Sequence, residues 1–158
     1  MMTLSNILSH IKITEAVGST SIPITSVDFD SRKVREGALF VATIGTQVDG
    51  HEFITQAIDS GAIAIVCETL PKELRENVSY IKVKNSQEAL GQIASNWYDQ
   101  PSSKIKLIGV TGTNGKTTIA TLLHQTFSNL GYYCGLLSTI ETKSDHKSFL
   151  PPTLHQML

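Results

Sequence analysis

Ile105-Lys106-Leu107-Ile108-Gly109-Val110-Thr111-Gly112-Thr113-Asn114-Gly115-Lys116-Thr117-Thr118 is the stretch on which the reading of this chain turns. An apolar run of strand type, interrupted once by a lysine, stops at a glycine-rich turn, and Lys-Thr-Thr then opens a segment of helical spacing. This is the design of a phosphate-binding loop. Glycines let successive backbone N–H groups converge on phosphate oxygens, and the helix that follows presents its positive dipole end to them. Gly112, Thr113, Asn114, Gly115, Lys116, Thr117 and Thr118 are the candidate nucleotide-binding residues. Lys116 reaches for the terminal phosphates in such a loop, and the Thr117 hydroxyl is the expected Mg²⁺ ligand. The strict spacing of this motif places a glycine six residues before the lysine. That position is Val110 here, flanked by Gly109 and Gly112. Strand, loop and helix nevertheless follow in the required order, so the expectation is a nucleoside-triphosphate site.

Composition bounds the remaining possibilities. The chain has 158 residues, 41% hydrophobic and 17% charged, which suits a folded domain or two small ones with a real core. A net charge of −1 gives no electrostatic reason to expect nucleic acid or an anionic membrane as partner. Cys67 and Cys134 form no CxxC and lie in or beside apolar strand-like runs, so reduced thiols are expected. The amino terminus has neither a basic region nor a sustained apolar run, and no segment is long enough to span a bilayer. The expected location is the cytoplasm, the expected state a monomer.

Leu4, Ile7, Leu8 and Ile11 have helical spacing, with Thr3 or Ser5 as a possible cap. Residues 24–29 alternate as a strand does, a polar turn carries Ser31 and Arg32, and Gly37 marks the entry to a second strand. Ser31 and Arg32 fit either an ordinary turn or a phosphate or sugar contact held by a rigid sheet. A second polar loop, Gly45-Thr46-Gln47-Val48-Asp49-Gly50-His51, precedes a helix built on Phe53, Ile54, Ala57 and Ile58 and closed by Gly61. His51 is expected to cap or pack near that helix; no histidine pair has metal-ligand spacing. Strands are expected at 62–67 and 77–83, followed by a helix that Ser86 caps and that ends in the packing residues Trp97 and Tyr98. The polar, proline-bearing stretch at 99–104 reads as a linker. Domain boundaries of 1–100 and 101–158 follow.

Beyond the phosphate loop, Ile119, Leu122, Leu123, Phe127 and Leu130 keep a helical stripe, and 132–139 reads as the next strand, completing a βαβ unit of a parallel sheet. Residues 141–147 read as a charged loop. Two strands and one helix cannot bury both faces of a parallel sheet, and no later strand offers the carboxylate that usually completes a Mg²⁺ site. The expectation is a chain that stops inside its second domain.

With both halves in view, the sequence resembles the Mur ligases of peptidoglycan synthesis. The likeness runs from Asp30-Ser31-Arg32 through Gly37-Ala38-Leu39-Phe40-Val41-Ala42 and Asp49-Gly50-His51 to Gly112-Thr113-Asn114-Gly115-Lys116-Thr117-Thr118, which looks like the family's ATP loop. Tyr98-Asp99-Gln100-Pro101-Ser102 looks most like the branch that adds the third peptide residue. The fold this implies is α/β: a small N-terminal α/β domain with a mixed sheet, then the start of a P-loop central domain with a truncated parallel sheet. The activity it implies is ATP-dependent, amide-forming ligation of meso-diaminopimelate or L-lysine to UDP-N-acetylmuramoyl-L-alanyl-D-glutamate through an acyl phosphate, with ATP and Mg²⁺ required. By the same likeness Phe29, Ser31, Thr46, Gln47 and Val48 bind the uridine diphosphate end, and Lys116 is catalytic. Where the family has a Thr-Thr pair touching the muramyl peptide, Leu150-Pro151-Pro152-Thr153 stands here, and only Thr153 matches. A fragment of this kind is expected to be inactive alone. The alternatives are the ligase adding the terminal dipeptide, a folylpolyglutamate synthase, a module that only binds a uridine nucleotide, and a small P-loop kinase. The folate enzymes lack such a first domain; the kinase reading lacks a lid and a carboxylate.

Overall fold

The computed structural model describes residues 2–45 and 48–144 and the backbone of 147–149. The chain divides into two compact units, Met1–Lys106 and Leu107–Leu158.

The first unit runs β1 (Met2–Thr3), α1 (Leu4–Ile7), β2 (Ile13–Val17), β3 (Pro23–Ile24), β4 (Val27–Asp28), β5 (Ala38–Val41), a 3₁₀ turn (Gly50–Phe53), α2 (Ile54–Asp59), β6 (Ala62–Cys67), β7 (Ser79–Val83) and α3 (Ser86–Trp97). Five strands make one mixed sheet in the order β2-β7-β6-β5-β4. The four from β7 to β4 are mutually parallel, and β2 pairs antiparallel at the edge. The inner strands are apolar throughout because both faces are covered. Leu39 and Val41, Ala64 and Val66, Ile81 and Val83 point to the face packed by Leu4 and Ile7 of α1 and Ala89 and Ile93 of α3. Phe40, Ile65, Cys67 and Tyr80 point to the other face, against Ile54 and Ala57 of α2. The period-two alternation of a strand thus feeds two separate cores. Tyr80 is fully buried, and its hydroxyl accepts the Arg75 N–H at 3.0 Å. Buried Asn96 of α3 donates to the Ile7 and Ser9 carbonyls, both at 2.8 Å, and so satisfies carbonyls at the end of α1.

Four local readings change. The strand foreseen at 24–29 is two short ones in different sheets, because β3 pairs with β1 while β4 joins the main sheet. Strand β2 was not foreseen; it is a largely exposed edge with no apolar alternation to reveal it. Asn85, not Ser86, caps α3: its backbone is extended and its side chain accepts the Glu88 N–H at 2.9 Å. Ser86 is already helical, and its hydroxyl is spent on Glu68. Trp97 packs against the core as expected, but Tyr98 stands exposed.

The second unit contains α4 (Lys116–Asn129) and strands β8 (Gly135–Leu137), β9 (Thr142–Ser144) and β10 (Lys147–Phe149). Their sheet is antiparallel in the order β10-β9-β8. The expected strand at 105–110 has no ladder among the described residues. A strand exists only through hydrogen bonds to a neighbour, and Ile105, Leu107 and Ile108 remain exposed without one. The parallel pairing expected across α4 is likewise missing among the described pairs. Instead the Ser138 hydroxyl donates to the Glu141 carbonyl at 2.8 Å and accepts the Glu141 N–H at 3.1 Å, turning the chain back after β8. That turn converts part of the expected charged loop into β9 and β10. Phe127 meets Tyr132 edge to face at 5.9 Å, and Leu136 is the buried hydrophobic residue of the unit among those described. Among the described residues, no helix is long and apolar enough to cross a membrane.

Candidate functional site

In a parallel sheet, loops that leave the carboxyl ends of strands converge on one edge, where ligands bind. Here those loops follow β4, β5 and β6. After β4, Phe29 is about half exposed and Ser31 is buried, its hydroxyl donating to Gln56 Oε1 of α2 at 3.1 Å. Asp30 shapes the turn: it accepts the Arg32 N–H at 3.1 Å and a two-pronged contact from the guanidinium at 2.8 and 2.9 Å. Hydrogen bonding from the Arg32 side chain, foremost, holds the Asp30 carboxyl below its ordinary value. Arg32 itself lies along the surface, 82% exposed.

After β5, Ile44 and Asp49 pair across a small hairpin, and Gly45 N–H reaches the Val48 carbonyl at 3.0 Å. Val48 is exposed. Thr46 and Gln47 lie outside the described residues, as does Thr153. Gly50 sits where a Cβ would come within 2.7 Å of the Thr43 carbonyl oxygen, so only glycine lets the chain pass so close to the end of β5. Asp49 Oδ1 accepts both the His51 N–H at 3.0 Å and its ring Nδ1–H at 2.6 Å. The backbone contact is the larger reason its carboxyl lies below the ordinary range. Phe29, Ser31 and Val48 therefore share one edge of the first unit.

The second unit carries the phosphate loop. Gly115 adopts the left-handed conformation, φ 76°, and opens α4 with no side-chain cap. Gly112, at φ 149°, is also in glycine territory. Neither position is crowded, so conformation rather than space selects glycine. An uncapped helix start leaves its first N–H groups pointing into the loop, which is the arrangement an anion completes. Lys116 folds back over this loop, its Nζ donating to the Gly112 carbonyl at 2.6 Å and the Thr113 carbonyl at 3.2 Å. The ammonium has three donors, so one is left for a phosphate oxygen. Thr113, Asn114 and Thr118 are exposed, and Thr117 is half-buried in the first turn. Among the described residues no group of three His, Cys, Asp or Glu side chains can hold a metal. The Thr117 hydroxyl is an oxygen of the kind Mg²⁺ takes, and that ion commonly keeps several waters and substrate phosphates as its other ligands.

Two shallow hollows of about 360 and 380 Å³ lie at the opposite, amino ends of β6 and β7. Glu76 lines both; the first offers no cationic side chain, and in the second Arg75 is already paired with Asp59 and faces Glu36 and Glu76 as fellow lining residues. Sequence reasoning did not single out Gln56, Glu68 or Gln87 and gave Ser86 only a capping role; these residues support the carboxyl edge from α2, the end of β6 and α3. Only Asp-Gly-His carried a local signal for any of this, and it read as a turn.

The model of the Mur ligase family catalytic domain matches residues 23–98, and that of the Mur ligase middle domain matches 110–158. A UDP-N-acetylmuramoyl-L-alanyl-D-glutamate–2,6-diaminopimelate ligase of Bacteroides fragilis is 51% identical over 98% of this chain and 31% of its own length. Its namesake in Cytophaga hutchinsonii is 50% identical over 92% of this chain and 30% of its own. A solved structure of a ligase of that name matches with a TM-score of 0.73 at 25% identity, over 97% of this chain and 31% of the other. A MurF ligase from Thermotoga maritima, in complex with ADP, matches with a TM-score of 0.50 at 32% identity, over 66% and 23%. The chain spans about a third of the length of the curated relatives it matches.

Proposed function

This chain belongs to the Mur ligase family, and from that premise we propose that it serves the ATP-dependent joining of a diamino acid to UDP-N-acetylmuramoyl-L-alanyl-D-glutamate in the cytoplasm, as a monomer. Diaminopimelate is the amino acid favoured over lysine, since the relatives' names carry it. In this reading residues 1–100 hold the uridine diphosphate end, through Phe29, Ser31 and the Thr46-Gln47-Val48 loop, with Thr153 toward the muramyl peptide. Residues 101–158 begin the ATP domain, with Gly112 to Thr118 around the phosphates. The observation that carries the reading is the uncapped start of α4, opened by a left-handed Gly115 and roofed by Lys116.

The chemistry follows from charge. A carboxylate attacks the γ-phosphorus of ATP and ADP leaves; the resulting acyl phosphate is then open to the amine, which displaces phosphate and forms the amide. Phosphoryl transfer needs positioning and charge stabilisation above all. Lys116 supplies a fixed positive charge over the loop, and the N–H groups of α4 supply oriented dipoles. Mg²⁺, when held by Thr117 and the phosphates, neutralises charge on the nucleotide.

Backbone amide shifts of labelled protein test both halves. Titration with UDP-N-acetylmuramoyl-L-alanyl-D-glutamate is expected to shift Ser31 and Val48, and ATP with Mg²⁺ to shift Gly112 to Thr118. Lys116→Ala is expected to weaken the ATP response at least tenfold while leaving the first response intact. A dispersed spectrum unmoved by either ligand would refute the reading.

A further inference from the structure

The hairpin between β5 and the 3₁₀ turn is closed into a ring of hydrogen bonds that no part of the proposed chemistry requires directly. Asp49 Oδ1 takes the proton of His51 Nδ1 at 2.6 Å, and His51 Nε2 in turn accepts the backbone N–H of Glu68, the residue just past β6, at 2.8 Å. The Glu68 side chain then accepts both the N–H and the hydroxyl of Ser86, at 2.8 and 2.7 Å. Next to it on α3, Gln87 Nε2 donates to the Ile44 carbonyl at 2.7 Å, and Ile44 bridges back to Asp49. The imidazole is mostly shielded, 15% exposed, and Ser86 is fully buried. An imidazole that accepts at Nε2 and donates at Nδ1 must be neutral, with its proton on Nδ1.

We propose that His51 is a positioning residue for the uridine-nucleotide site: as a neutral Nδ1–H imidazole it ties Asp49 to the carboxyl end of β6, while Gln87 ties Ile44 to the start of α3, so that Gly45 and Val48, bonded to each other between them, are in place before the ligand arrives. The proposal rests on the substrate reading above. Its physical basis is that a contact residue held in place before binding loses less freedom on binding. Three features argue for a device rather than incidental packing. The ring joins four separate elements, it closes on the hairpin from both sides, and its two carboxylates are each committed to two donors.

Long-range ¹H–¹⁵N spectra of the 158-residue chain read the tautomer directly, and fluorescence titration with UDP-N-acetylmuramoyl-L-alanyl-D-glutamate reads the consequence. A protonated Nδ1 and an unprotonated Nε2 at His51 are expected; the reverse assignment would overturn the clamp. His51→Ala and His51→Asn, which cannot accept from Glu68 N–H, are expected to bind roughly tenfold more weakly, the scale of leaving a shielded donor unpaired. Their Gly45 and Val48 amides should shift in the unliganded state. His51→Gln places an acceptor near the Nε2 position and is expected to restore affinity to within about threefold. Equal affinity in all four proteins would refute the positioning role. Should the unaltered protein not bind the nucleotide, the substrate reading fails and the positioning role with it, while the tautomer still reports whether the clamp exists.

Discussion

The two units are written in the same alphabet of apolar strand, turn and amphipathic helix, yet they differ in what they bury. In the first, α1 and α3 cover one face of a five-stranded sheet and α2 the other, and Phe40, Leu39, Ile65, Tyr80, Ile81 and Ile93 are essentially inaccessible. In the second, Ile119 and Leu122 of α4 are about half exposed, as is Ile108, while Tyr133 and Leu137 are more exposed still. The helical stripe of α4 was read correctly from spacing, but a stripe only states which face is apolar. Burial requires a second surface of matching extent, and a three-stranded antiparallel sheet gives α4 only part of one.

The sharpest way to break that comparison is to remove one large side chain from each unit. Phe40→Ala is expected to cost about 3–5 kcal/mol in urea unfolding, the range for a buried aromatic, whereas Leu122→Ala is expected to stay within about 0.5 kcal/mol. Comparable losses would mean that α4 is covered in solution. The cysteines offer a second, kinetic contrast, since one lies in each unit and neither is in a disulfide. Burial leaves Cys67 inaccessible and pushes its thiol up to about 11. A thiol reagent at pH 8 should therefore label half-buried Cys134 more than a hundredfold faster than Cys67, by the lost thiolate and the need to open the core. Similar rates would show the first unit opening readily.

Two further changes sharpen the picture within the first unit. Gly50→Ala drives a methyl into the Thr43 backbone and should cost about 1–3 kcal/mol, whereas Asn85→Ala removes only a cap and should cost about 1 kcal/mol. Thermal melts of the two variants check the order. The smallest effect concerns acid. Because Arg32 holds the Asp30 carboxyl below its ordinary value, the native state binds fewer protons there than the unfolded chain does. The stability this adds is complete above the ordinary carboxylate pKa and is lost as pH falls through the lowered native value. Arg32 is so exposed that solvent screens most of it. Arg32→Ala should narrow the gap between melts at pH 7 and pH 3 by a barely measurable amount; a large change would show Asp30 to be more deeply engaged than its turn suggests.

Much of the first unit was legible because its signals are local. Ala62–Cys67 is an unbroken apolar run of strand length, and Ala89, Ile93 and Trp97 repeat with the period of a helix. The phosphate loop was legible for the same reason, since glycines at 112 and 115 answer a backbone demand that a few adjacent residues create. What failed to show depended on partners far along the chain. Edge strand β2 exists because β7 offers its open side, not because 13–17 alternate. The run 105–110 has strand composition and no strand, since composition cannot supply the neighbour that a ladder needs.

Sequence by itself determined the family, the α/β character, the glycine-rich loop at 112–118 and the presence of turns at 30–32 and 49–51, because each rests on a few adjacent residues or on a motif. Only the tertiary structure decided that His51 reaches Glu68, that Glu68 reaches Ser86, that Gln56 receives the Ser31 hydroxyl and that Asn96 closes α1. Those bonds span from 17 to 89 positions of sequence. A hydrogen bond is directional and short, so such pairs are set by how strands and helices stack, a geometry that no single stretch of residues encodes.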